Sequence, residues 1–134
     1  MREKKFKAWD KKNKKMHRVR GFEFYNIDAQ ALYYLTIEDG DSLVKVFRNL
    51  DDYVFIQFTG LKDKNGKDIY EGDILKDTIG EILQIIFDES ECRFEALFRS
   101  SYGKKDWELK RHIPDIQFMK IIGNVYETPE LLKS

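Results

Sequence analysis

The stretch Phe58-Thr59-Gly60-Leu61-Lys62-Asp63-Lys64-Asn65-Gly66-Lys67-Asp68-Ile69-Tyr70-Glu71-Gly72-Asp73-Ile74-Leu75 decides the fold. Two apolar runs flank a charged turn, and an Asn-Gly pair between such runs is the strongest short-range signal of a β-hairpin. Both residues tolerate positive φ, so Asn65-Gly66 is expected to fill the two central positions of a type I′ turn. Gly60 and Gly72 bracket the unit where a strand would bend or bulge.

Beyond Gly72 the pattern stays extended. Asp73 to Lys76 continues a strand, and Thr78-Ile79-Gly80 bends the chain into a second one, Glu81 to Phe87. Cys92, Phe94, Ala96 and Phe98 then fall on one face, while Glu91, Arg93, Glu95 and Arg99 fall on the other. Ser100 to Asp106 reads as a mobile loop. Trp107 to Ile113 resumes the extended pattern and Pro114 ends it. Phe118 to Tyr126 is the last extended segment, bulged at Gly123-Asn124. Thr128-Pro129 then caps a short terminal helix, with proline at its first position.

On the N-terminal side, Lys5-Phe6-Lys7-Ala8-Trp9 alternates charged and apolar residues, the period of a half-buried strand. A charged turn, Asp10 to Lys15, leads to a returning strand from Met16 to Tyr25, with a bulge at Gly21. This strand, Asp-Lys-rich turn, strand arrangement resembles the one around Asn65, although side-chain identity is too slight to make a repeat. Ile27 to Ile37 reads as either a short helix capped by Asp28 or a strand. Leu43 to Phe47 and Tyr53 to Phe58 are β-prone. Short strands at close spacing make the chain mainly β. The division is an N-terminal β-rich (α+β) segment over residues 1–52 and an SH3-like small barrel over residues 53–134.

Composition narrows the function. The 134 residues include 42% hydrophobic and 36% charged side chains, with 24 Lys/Arg balancing 24 Asp/Glu. The balance hides an asymmetry: Met1 to Arg20 holds ten Lys/Arg against two Asp/Glu, so a segment of +8 faces a remainder of −8. A single cysteine, Cys92, forms no internal disulfide and fits a reducing, cytoplasmic compartment. No apolar run approaches the roughly 20 residues of a membrane helix, so no membrane association is expected.

Lys11, Lys12, Lys14, Lys15 and Arg18, with Trp9 beside them, are the candidate contacts to nucleic acid or to a partner. Lysines would meet phosphates and an aromatic would stack on a base. Six such phosphate contacts would cost about three orders of magnitude in affinity between 50 and 200 mM salt. The plainer reading is a solvated turn whose lysines discourage edge-to-edge association and meet the acidic remainder. Trp9 is then a core residue.

Other constellations carry less. Glu71 and Asp73, flanking Gly72, would share one face of a strand and begin an acid/base or metal site, but no His or Cys lies near. The Asp63 to Asp68 run lacks the acidic twelfth position of a calcium loop, which Ile74 occupies. His17, His112 and Cys92 have no metal-ligand spacing, and the Cys92 face reads as a buried, inert thiol. No catalytic residue, metal site or cofactor site is expected.

Three blocks together resemble the YopX family: Lys5 to Asp10, Gln57 to Ile74, and Ile122-Gly123-Asn124-Val125-Tyr126-Glu127-Thr128-Pro129-Glu130-Leu131-Leu132. They span nearly the whole chain, while residues 22–52 add nothing to the likeness. The resemblance implies a small protein of temperate phages and prophages of Gram-positive bacteria, an SH3-type barrel in the C-terminal part, and a homo-oligomer. It brings no established biochemical activity and no agreed site residues. The expectation is therefore a non-catalytic module in the host cytoplasm that binds a phage or host protein, with nucleic-acid binding as the second reading.

Overall fold

Period-2 alternation dominates the chain, and the structure, a computed structural model, is built almost wholly from antiparallel strands. It describes residues 5–27, 30–47, 50–90, 92–99, 108–111 and 116–132. The loop expected over Ser100 to Asp106, together with Trp107, His112 and Pro114, lies outside the described residues. The described helical segments are 3₁₀ turns at Leu50–Asp52, Ile116–Phe118 and Pro129–Leu132. None is long and apolar enough to cross a membrane. The chain divides into two compact units, Lys5–Ile56 and, from Gln57 onward, a second.

In the first unit, β1 (Phe6–Asp10), β2 (Lys15–Ile27), β3 (Gln30–Asp39) and β4 (Ser42–Val46) form a meander, and β5 (Tyr53–Lys62) starts beside β1. The order is β4-β3-β2-β1-β5. Of Ile27 to Ile37, open between helix and strand from sequence, Ile27 ends β2 and Gln30 to Ile37 lie in β3, while Asp28 and Ala29 lie outside the described residues. Val19 stands opposite Ile37 and Leu35 opposite Val46, so one sheet face carries the apolar set. Ala8, Leu35 and Ile37 form its buried core, with Val19, Val46, Leu50 and Tyr53 packed against them. The register slips between Val19 and Gly21, confirming the bulge there. The extra residue puts Val19 and Phe22, three apart, on the same face.

In the second unit, β5 continues and pairs with β6 (Asp68–Tyr70) through Phe58–Tyr70 and Lys62–Asp68, with an irregularity between. Gly60, at φ 88°, lies within it. A five-stranded sheet follows in the order β10-β9-β8-β7-β11, from β7 (Asp73–Lys76), β8 (Ile82–Asp88), β9 (Arg93–Arg99), β10 (Glu108–Arg111) and β11 (Lys120–Asn124). Its core is Ile69, Leu75, Leu83, Ile85, Ala96, Ile116 and Met119. β11 is bulged between Ile121 and Gly123, and the chain closes on the Pro129 turn expected from Thr128-Pro129.

The deciding hairpin differs from its expected type. Asn65 does not take positive φ; Gly66 does, at 79°. The Gly66 N–H donates to the Asp63 carbonyl, and the Asp63 N–H donates to Lys67. This is a three-residue loop closed by a glycine bulge rather than a two-residue type I′ turn. The cause is Asp63, whose Oδ1 accepts the N–H groups of Asn65 and Lys67 and so fixes the wider turn. Asp77 repeats the pattern, accepting from Ile79 and Glu81 while Gly80 takes positive φ.

Candidate interaction surface

The basic turn is organised by one carboxylate. Asp10 Oδ1 accepts the N–H groups of Lys12 and Asn13, and Oδ2 accepts the Asn13 amide. Lys14 then takes φ 54° and Asp10 pairs with Lys15 across the strands. Burial pushes the Asp10 carboxyl up, but the hydrogen bonds from Asn13 and Lys12, with His17 nearby, outweigh it and hold it below the ordinary value. Around this anchor Lys11, Lys12, Lys14 and Lys15 are all exposed, and so is Arg18 on β2. Trp9 is 9% exposed and belongs to the buried set, so it does not stand among the lysines as a stacking surface. His17 is buried and donates from Nδ1 to the Glu38 carbonyl at 2.7 Å, which gives it a structural partner.

The remaining sequence candidates separate. Glu71 and Gly72 lie in a turn rather than on a strand, because Gly72 takes φ 89°. Asp73 is buried and accepts the Tyr70 N–H at 2.8 Å through Oδ2. Burial pushes the Glu71 carboxyl up, the Glu89 charge adds to it, and a hydrogen bond from Gln57 opposes both. Tyr126 is raised in turn, by burial and then by the charge on Glu71. The Asp63 carboxylate is occupied on both oxygens, Oδ2 accepting the Ile121 N–H, as a structural turn and not a calcium loop requires. Among the described residues no group of three His, Cys, Asp or Glu side chains is placed to hold a metal ion.

Cys92 corrects the sequence reading. It is exposed, not buried, and sits at φ 52° at the end of the β8–β9 turn, its thiol donating to the Glu89 carbonyl. The alternation of β9 starts only at Arg93, so Cys92 never joins the Phe94–Ala96 face. Glu95, on the face opposite Ala96 as the alternation has it, is 2% exposed and accepts from Arg93 Nε at 3.0 Å.

What the sequence did not single out is the apolar surface of the first unit. Phe6, Val19, Phe22 and Phe55 line an apolar cleft of ≈ 290 Å³. Phe22 and Phe55 meet edge to face, with ring centroids 5.4 Å apart. At the end of the same sheet, β4 is exposed along nearly its whole length. Leu43 is 61% exposed, Phe47 just beyond the strand is 63% exposed, and Val44 is exposed between them. Phe47 packs against Tyr34 at 5.0 Å, and Lys45 Nζ lies over the same Tyr34 ring at 5.1 Å. A sequence signal existed: Leu43-Val44-Lys45-Val46-Phe47 is apolar on both faces of a strand, which a solvated edge does not need.

A crystal structure of protein EF1440 from Enterococcus faecalis is similar to this chain, at 28% identity and a TM-score of 0.57, covering 99% of this chain and 100% of that one. No curated protein matches. The family model described as YopX protein matches residues 5–133, and on that match, with the β-hairpin framework above, the chain belongs to the YopX family.

Proposed function

We propose that this protein is a non-catalytic, oligomeric interaction module of phage or prophage origin that binds a phage or host protein in the bacterial cytoplasm. One observation carries the reading. Of ten exposed large apolar side chains among the described residues, six belong to the first unit: Phe6, Phe22, Leu43, Val44, Phe47 and Phe55. Apolar side chains grouped in this way, several of them aromatic, are the anchors of protein–protein contacts. The carboxylates of Asp10, Asp63 and Asp73 each accept backbone N–H groups.

Size-exclusion chromatography with light scattering tests the assembly. A particle well above 16.0 kDa is expected, and a 16.0 kDa particle at every concentration overturns it. The exposed lysines favour a second reading, a nucleic-acid accessory protein. Filter binding at two salt concentrations separates the two, because phosphate contacts weaken steeply with salt. No retention of DNA or RNA at low salt removes the second reading.

A further inference from the structure

We propose that β4 is the self-association edge, pairing antiparallel with β4 of a second copy about a two-fold axis through Val44. The proposal rests on the oligomeric reading and names its surface. β4 ends the strand order, and among the described residues no strand pairs with its far side. An end strand presents outward N–H and C=O groups at alternate residues, and monomeric proteins block such edges with proline, bulges or outward lysines. β4 contains no proline. Its ladder to β3 runs through five successive pairs without a register shift, from Leu35–Val46 to Asp39–Ser42. Its one cation, Lys45, is drawn over the Tyr34 ring of its own sheet.

Charge and length select the partner and the register. For two sheets to join with their faces aligned, the axis must pass through a residue and not between two. The axis through Val44 is the one that pairs all five residues of Ser42–Val46. It sets Ser42 opposite Val46, Leu43 opposite Lys45, and Val44 opposite itself, with no like charges facing. A parallel pairing in register, or an axis through Lys45, sets Lys45 against Lys45 and is destabilised. The arrangement is isologous, as a closed two-fold contact requires.

The test places opposite charges at Leu43, a position exposed enough to accept either. Leu43→Lys sets a lysine against the partner's Lys45 and is expected to lower the particle mass about twofold in light scattering. Leu43→Glu sets a carboxylate against that Lys45 and is expected to keep the wild-type mass. The double variant Leu43→Lys with Lys45→Glu restores it. Circular dichroism confirms that each variant is folded. Wild-type mass for Leu43→Lys, or equal dissociation of Leu43→Lys and Leu43→Glu, overturns the β4 register while the oligomeric reading stands. A wild-type protein that is 16.0 kDa throughout overturns the oligomeric reading and the edge contact together.

Discussion

Asp63 does more for the deciding hairpin than the Asn-Gly pair beside it. Its carboxylate accepts three backbone N–H groups, from Asn65, Lys67 and Ile121, and is 6% exposed. It is covered by its own turn and by β11 rather than sunk in a core. Burial pushes its carboxyl up, and the three N–H donors with the Lys67 charge more than reverse that, leaving it below the usual 3.8. Asp63→Ala strands those donors, and urea unfolding should show a loss of about 2–4 kcal/mol. Asp77→Ala removes the same turn from a more exposed site and should cost only about 1 kcal/mol. A depressed folded-state pKa means the carboxylate stabilises the fold above its unfolded value and loses that contribution as pH falls through the folded one. The stability gap between wild type and Asp63→Asn should therefore shrink as pH drops below 3.8. Glu71 has the opposite sign. Its raised carboxyl opposes folding once ionised, so Glu71→Gln should raise the melting temperature relative to wild type, and by more at pH above the Glu71 pKa than below it. An equal gain at acid and neutral pH contradicts that account. The presence of a turn at Asn65-Gly66 was legible in the residues; its type was not, because Asp63 selects it through side-chain bonds, one of them to Ile121 far along the chain.

Among the elements, two turns with similar sequences have become two uses of one device. Asp10 and Asp63 each hold a lysine-bearing loop by its backbone, and in the first loop the lysines themselves bear no structural load. Replacing Lys11, Lys12, Lys14 and Lys15 together by glutamine should change the unfolding free energy by less than about 1 kcal/mol. The Gly72 turn leaves less freedom. A Cβ there would stand 2.7 Å from Tyr126 Cε2 on a backbone already at φ 89°, and the Gly72 carbonyl accepts the Val125 N–H. Gly72→Ala should cost at least about 2 kcal/mol in urea unfolding, from strain and crowding together. Strands from β5 to β9 were legible because their alternation is local. Cys92 was misplaced because the β8–β9 turn ends on it at positive φ and delays the start of β9. β2 hides its cleft for a related reason: the bulge beside Gly21 changes which residues share a face, and alternation counted through it gives the wrong set.

At the scale of the whole molecule, the +8 N-terminal segment and the −8 remainder were plain in the sequence, as was a mainly β chain. Strand order was not. Leu43 to Phe47 reads as a strand from its residues alone, but its place at the end of a sheet depends on pairing between distant segments. That placement turns an apolar run into an exposed edge and supports an interaction module over an active site. The most direct measurement is amide hydrogen exchange along Ser42–Val46 as a function of protein concentration. Self-pairing through β4 makes alternate amides of this strand exchange more slowly in concentrated than in dilute protein, while the Lys11–Lys15 turn exchanges at an unchanged rate. Exchange along β4 that stays as fast in concentrated protein as in dilute contradicts the proposal.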